Sequence, residues 1–237
     1  MTQLILQWDG VSTTWVNALG LTKADKIQVW GAGSAGGFAG SRGYGGGESG
    51  YYAESIDVPL TIGATYDIVA GVSGIVGAPG GDSSFTPHGG SPLLLAKGGG
   101  AASTSYNAGG STSLVGACIG DLKRQAGHGG NGGGSRAGNG AGGGGAPDAS
   151  SDGHDGSDGE SATAGGVGTI QGGAGGNGAT TSTDATDGFA PGGGGGGGKD
   201  TRPSGLGAAG RIILTYTPVI TGPSIVQRLG TTTILGS

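Results

Sequence analysis

The sequence predicts an all-β protein in which short β-strands frame a bundle of polyglycine-II helices, with almost no α-helix. Three observations carry that prediction. Glycine supplies 64 of the 237 residues, against a usual share of about 7%. Short runs of alternating apolar and polar residues stand toward both ends of the chain, and helical periodicity is almost missing. Each ordered glycine costs roughly 0.5–1 kcal/mol more backbone entropy than alanine. Over 64 positions that cost is several times the ~5–15 kcal/mol by which a domain is usually stable. The glycines must be disordered, or be offset by organised hydrogen-bonded packing; we expect the second.

The first strand is read from Leu4, Leu6 and Trp8, which alternate with Gln3 and Gln7 and end at the turn Asp9-Gly10. A second runs Lys26-Ile27-Gln28-Val29-Trp30 and stops at Gly31. From Tyr51 to Val58, Tyr52, Ile56 and Val58 alternate with Tyr51, Ser55 and Asp57, although Glu54 interrupts one face. Tyr66 and Ile68 mark a strand from Thr65 to Ala70. Near the end, Ile212, Leu214 and Tyr216 alternate with Arg211, Thr215 and Thr217 in the cleanest pattern of all. The single helical candidate, Thr14 to Leu21, is short and carries Gly20, and glycine is among the worst helix formers.

Between Gly98 and Gly210 the chain changes character. It holds Gly142 to Gly145, Gly172-Gly173-Ala174-Gly175-Gly176-Asn177-Gly178 and the unbroken run Gly192 to Gly198. A strand of glycine has no side chains to pack, and collagen requires a strict Gly-X-Y period rich in proline, whereas only 9 residues here are Pro. Extended threefold helices remain. Such a helix satisfies none of its own peptide groups, but without Cβ atoms neighbouring helices approach closely enough to bond sideways, and buried peptide groups must be paired. The expected core is a bundle of these segments joined by Ser/Thr/Asp/Asn turns and clamped by the strands.

Charge and composition narrow the function classes. A net charge of −5 gives no basic footprint for nucleic acid; Lys123-Arg124 is the one basic pair and reads as solvated surface. No apolar run reaches the ~18–20 residues of a membrane span, and the first residues lack the pattern of a signal peptide. Cys118 stands alone, so no intrachain disulfide forms and no metal cluster rests on cysteine. That suits folding in a reducing cytoplasm.

The motifs that suggest chemistry are weak. Gly31-Ala32-Gly33-Ser34-Ala35-Gly36 fits G-x-G-x-x-G after a strand, but a dinucleotide site needs a helix opening at the last glycine, and Gly37-Phe38-Ala39-Gly40 cannot hold one. Asp152, Asp155 and Asp158 recur every third residue, which lines them along one edge of a threefold helix. Clustered carboxylates are candidate calcium ligands, although the spacing fits neither an EF-hand nor a nine-residue calcium repeat; a solvated acidic turn is the plainer reading. His88, His128 and His154 are scattered without metal-ligand spacing, and no Ser lies in a G-x-S-x-G elbow. Trp8, Trp15, Trp30, Tyr51 and Tyr52 could stack on carbohydrate, but with so few other large side chains they are expected to close a small core.

The order of these pieces carries a resemblance. Ile27-Gln28-Val29-Trp30 runs into Gly31 to Gly37; Gly45-Gly46-Gly47-Glu48-Ser49-Gly50-Tyr51-Tyr52 leads to a strand; Ile62 to Gly71, Gly80-Gly81-Asp82-Ser83-Ser84-Phe85 and Gly210-Arg211-Ile212-Ile213-Leu214 follow. Over roughly residues 26–217 this resembles the glycine-rich domains of phage tail and tail-fibre proteins. More distantly it resembles phage adhesins whose polyglycine-II sandwich presents variable loops to a host receptor, and it shares a style with the glycine-rich domain of some animal receptor kinases. Residues 1–25 form a strand or attachment segment outside that resemblance. Residues 218–237, with Pro218-Val219-Ile220-Thr221-Gly222-Pro223 and Gly230-Thr231-Thr232-Thr233, resemble the opening of an immunoglobulin-like IPT/TIG module. An intact mass above 22.2 kDa would mean that the chain extends beyond Ser237.

The resemblance implies a non-enzymatic bacteriophage virion protein made in the host cytoplasm, a tail, fibre or surface-appendage component that mediates assembly and host attachment. Its implied partners are other virion proteins, copies of itself and a host surface receptor or glycan, with no cofactor, nucleic acid or membrane insertion. A homotrimer is expected by likeness to fibres, and a core this poor in large apolar residues gains from burial between subunits. Rival expectations are a distal receptor-binding adhesin, an ice-binding protein, for which the triplet period and flat Thr face are poorly met, and a secreted surface protein.

Overall fold

Nine strands, among the residues that the computed structural model describes (3–38, 42–103, 108–133, 138–160 and 163–218), build two antiparallel sheets. They are β1 (Leu4–Asp9), β2 (Ser12–Val16), β3 (Lys23–Trp30), β4 (Tyr52–Pro59), β5 (Thr65–Val69), β6 (Ser83–Pro87), β7 (Leu94–Ala96), β8 (Leu122–Arg124) and β9 (Arg211–Tyr216). One sheet has the order β1-β9-β3-β4-β8 and the other β2-β5-β6-β7. The helical regularity described is a single 3-10 turn at Val115–Ala117. The fold is all-β, as the sequence predicts.

The five strands expected from alternation are present as β1, β3, β4, β5 and β9. Part of the weak helical candidate is instead β2, which pairs with β5 from Ser12 opposite Val69 to Val16 opposite Thr65. The segment 4–16 therefore contributes one strand to each sheet, and Gly10 at φ 58° makes the crossing between them. Lys123 and Arg124, read as a solvated pair, lie in β8 against Ala53 and Tyr52. The facing sides of the two sheets form the apolar core. Ile27, Val29, Ile212 and Leu214 come from one sheet and Tyr66, Ile68, Phe85 and Leu94 from the other, all buried. Tyr66 stacks on Phe85 at 4.9 Å between ring centroids.

Beyond this sandwich the chain runs back and forth in extended segments that bond sideways. The segment 191–199 shows the rule. Gly194 and Gly197 donate to the carbonyls of Gly144 and Ala141, Gly195 and Gly198 to those of Ser34 and Gly37, and Gly193 and Gly196 to those of Phe189 and Thr186. Its carbonyls at 192, 195 and 198 accept from Gly50, Gly47 and Tyr44; those at 194 and 197 accept from Gly176 and Ala179, and those at 193 and 196 from Ala208 and Gly205. These bonds span 2.7–3.1 Å. Successive residues address different neighbours and every third residue returns to the same one, the period of a polyglycine-II helix. The segment 139–146 repeats the pattern, with Gly142 and Gly145 donating to Ser157 and His154, Gly143 and Ala146 to Gly176 and Gly173, and Ala141 and Gly144 to Tyr44 and Gly47.

The lattice is wider than the tract from Gly98 to Gly210. It begins at Gly31, directly after β3, and segments 31–37 and 43–51 lie inside it. The reason is steric: a Cβ on Gly33, Gly46 or Gly197 would meet a neighbouring carbonyl oxygen at 2.0–2.1 Å. At the end away from the sheets Gly37 bonds Gly45, Ser103 bonds Ala108, Gly133 bonds Asn139 and Thr180 bonds Thr183. The IPT/TIG resemblance falls on residues 219–237 apart from Pro218, and so lies outside the described residues.

Candidate functional site

A carboxylate stands in the middle of this side-chain-poor bundle. Glu48 lies in segment 43–51 and is fully buried. Threefold symmetry puts Glu48 and Tyr51, three residues apart, on the same edge of that segment, facing Gly100 and Thr112. Glu48 Oε2 accepts the N–H of Gly100 at 2.6 Å and the hydroxyl of Thr112 at 2.6 Å. Oε1 accepts the N–H of Thr112 at 3.1 Å and lies 3.0 Å from the Tyr51 hydroxyl and 3.1 Å from His128 Nδ1. Burial, with the Glu48 carboxylate adding to it, pushes the Tyr51 phenol up, so it stays protonated. Tyr51 itself accepts the N–H of Leu114 at 3.1 Å.

His128 carries this network to the surface. Its ring forms part of an open groove of about 420 Å³, lined also by Ser111, Asn131, Asp155 and Asp158. The three aspartates singled out from their spacing form the adjoining ridge. Each uses Oδ1 to accept a backbone N–H from the neighbouring segment: Asp152 from Gln125 at 3.0 Å, Asp155 from His128 at 2.7 Å and Asp158 from Asn131 at 2.6 Å. The triplet spacing along one edge is as expected, but the carboxylates run as rungs at successive turns and do not converge on a common point. Among the described residues no group of three or more His, Cys, Asp and Glu is arranged to hold a metal ion.

The same device closes other outward-facing amides. Gly165 donates to Asn177 Oδ1 at 3.0 Å, Asn177 to Thr186 Oγ1 at 2.8 Å, Leu206 to Asp187 Oδ1 at 2.8 Å and Gly109 to Asn131 Oδ1 at 3.2 Å. An amide at the rim of the lattice has no further peptide to bond, so a short polar side chain from the next segment takes the place of a carbonyl.

The remaining candidates are structural in placement. His88 pairs with Asp67 at 2.9 Å on the surface, and His154 is exposed, its carbonyl accepting from Gly145. Trp30 and Tyr52 are buried with rings 4.9 Å apart, Trp30 Nε1 donating to the carbonyl of Pro147 at 2.8 Å. Trp15 packs against Tyr66, Phe85 and Trp8. The aromatics close the core, as their scarcity predicts. Gly31 to Gly36 opens the lattice with no helix behind it.

The sequence reading singled out Tyr51 and His128 but neither Glu48 nor Thr112, whose side chains complete the network. The signal for Glu48 was its place as the lone charged residue of segment 43–51, directly after Gly45-Gly46-Gly47.

A family model described as a glycine-rich domain matches residues 9–217, which spans the whole described bundle and all strands except most of β1. The match starts within β1 and so takes in the segment before residue 26. No curated protein matches the sequence.

Proposed function

Since the chain belongs to the glycine-rich domain family, as the match over residues 9–217 establishes, we propose that it is a non-enzymatic structural protein of a bacteriophage virion, a tail, fibre or surface-appendage component. The observation that carries this reading is the lattice itself. Peptide groups bond laterally in three directions around segments such as 191–199, giving a stiff body that leaves few side chains for chemistry. The polar groups around the groove hold the bundle together: Glu48 is engaged at both oxygens, and Asp155 and Asn131 cap backbone amides. A rigid, acidic, side-chain-poor body suits a spacer or appendage assembled with other virion proteins in the host cytoplasm. Locating the chain in an electron-microscopy map of the particle tests the reading; a chain missing from purified particles overturns it.

A second role, as a receptor-binding adhesin, is favoured by one observation. The flanking pairs Gly37–Gly45, Ser103–Ala108 and Gly133–Asn139, with Thr180–Thr183, lie together at the end away from the sheets. Purified protein binding to host cells, with loss on exchanging the residues between these pairs, supports it; binding that survives the exchange excludes it.

A further inference from the structure

The two sheets treat their edges differently on the two sides of the sandwich. At one side, β7 is extended by a bridge in which Leu95 and Ile119 exchange N–H···O=C bonds at 2.9 and 3.0 Å. The neighbouring edge strand β8 is only three residues long, carries the exposed Lys123 and is tied by Arg124 Nη2 to the carbonyl of Ala149 at 3.0 Å. Short strands, lysine and added cover are the usual protections against edge-to-edge pairing. At the other side, β1 and β2 end their sheets with none of these. Among the described residues no backbone bond covers the outer edge of β1, and that of β2 is met only at its end, where the Val16 carbonyl accepts the N–H of Ala18 at 2.7 Å.

That open side is also apolar. Leu4, Ile5, Val11 and Val16 are 45%, 63%, 48% and 51% exposed, and Leu6, Trp8 and Trp15 pack on the core while remaining partly open. From Leu4 to Trp8 the strand holds no charge and no proline. Asp9, which follows, is held by Arg211 Nε at 2.5 Å.

We propose that β1 pairs with β1 of a second copy, antiparallel about a two-fold axis, to join the sheets of two molecules. The partner is a second copy because the strand is self-complementary. A register centred on Leu6 sets Leu4 opposite Trp8 of the second copy and Ile5 opposite its Gln7, with the inner faces on the same side. No like charges then stand opposite one another, which would be unfavourable. A cyclic trimer built by continuing the sheets head to tail would need a second open edge, and β7 and β8 are protected. Pairing through β1 therefore gives a two-fold dimer and not a trimer built by sheet continuation. The inference does not depend on where the protein works.

Sedimentation equilibrium on the full chain tests it. The expected mass is twice 22.2 kDa, falling to the single-chain value on dilution. The double variant Ile5→Lys/Gln7→Lys places lysines opposite each other at the proposed interface, on side chains that are exposed in the single chain. It should sediment as one chain with an unchanged far-ultraviolet spectrum and the melting temperature of dilute wild type, from which the second copy has dissociated. A wild-type protein that stays at 22.2 kDa at high micromolar concentration, a trimer, or a dimer that survives the double substitution overturns the proposal.

Discussion

Replacing Gly197 by alanine tests whether peptide groups, in place of side chains, hold this molecule together. An added Cβ at Gly197 would lie 2.0 Å from the carbonyl oxygen of Tyr44 and 2.7 Å from that of Gly45. Real Cβ atoms essentially never come within 3.0 Å of such an atom, so segments 191–199 and 43–51 must separate by about 1 Å or more. The bonds from Tyr44 to Gly198 at 3.0 Å and from Gly47 to Gly195 at 2.8 Å lie on that contact. Each is worth roughly 0.5–1.5 kcal/mol net, and crowding a packed interior costs about 1–3 kcal/mol. Against this, alanine restricts the unfolded chain and returns about 0.4–1 kcal/mol. The balance is a loss of roughly 1–6 kcal/mol, which for a domain of this size lowers Tm by about 2–24 °C. Gly116 is the control: it is exposed, lies in the 3-10 turn, and nothing stands within 4 Å of a Cβ built there. Gly116→Ala should leave Tm unchanged or raise it by a few degrees. Calorimetry on the two variants reads the difference directly. If Gly197→Ala melts within a degree of wild type, the lateral lattice is not what stabilises the protein.

Three further outcomes follow from the site. Glu48→Ala strands the buried N–H of Gly100 at about 1–3 kcal/mol and leaves the half-buried N–H of Thr112 without its carboxylate, so the denaturant midpoint falls markedly, while Glu48→Gln keeps an acceptor and loses less. Asp155→Ala frees the His128 amide at a rim where water can replace the carboxylate; stability changes by about 1 kcal/mol or less, but hydrogen exchange at His128 accelerates, and Asp155→Asn restores its protection. Burial works against the charged form of Asp148, but the Ser150 hydroxyl and the N–H groups of Gln171 and Ser150 outweigh it and hold the carboxyl at about 2, below its ordinary 3.8. A depressed folded-state pKa adds stability that is fully present above 3.8 and is lost as pH falls toward 2; Asp148→Asn should flatten melting temperature against pH across that window.

Much of the architecture is legible in the sequence, for reasons that also mark where legibility ends. Alternation reveals β1, β3, β4, β5 and β9 because each presents one face to a single apolar core. It passes over β6, β7 and β8, which are three to five residues long, and β2, whose Ser12-Thr13-Thr14 stretch is exposed. The lattice is announced by glycine content, but its partners are not: residue 144 bonds to 47 and 194, and no local pattern encodes such pairs. The aspartate triplet correctly places three carboxylates on one edge. That edge faces the amides of 125, 128 and 131, so the acids serve as hydrogen-bond acceptors to a backbone that the sequence alone could not locate.

The lattice nevertheless writes its cross-section into composition. A threefold segment has three edges, and each edge in contact with a neighbouring backbone excludes a Cβ. Segment 191–199 is contacted all round, and its residues 192–198 are unbroken glycine and buried. In segment 151–159 glycine survives at 153, 156 and 159, where a Cβ would strike peptide atoms of Gly127, Gly142 and Asn139 within about 2.3 Å. The aspartates at 152, 155 and 158 are exposed. Segment 184–189, at the outside, keeps only Gly188 and shows Phe189 to solvent. Glycine frequency along each segment therefore counts covered edges, and the non-glycine positions name the open ones. On that reading the positions that tolerate a side chain are those on open edges at the rim, such as 152, 155 and 158.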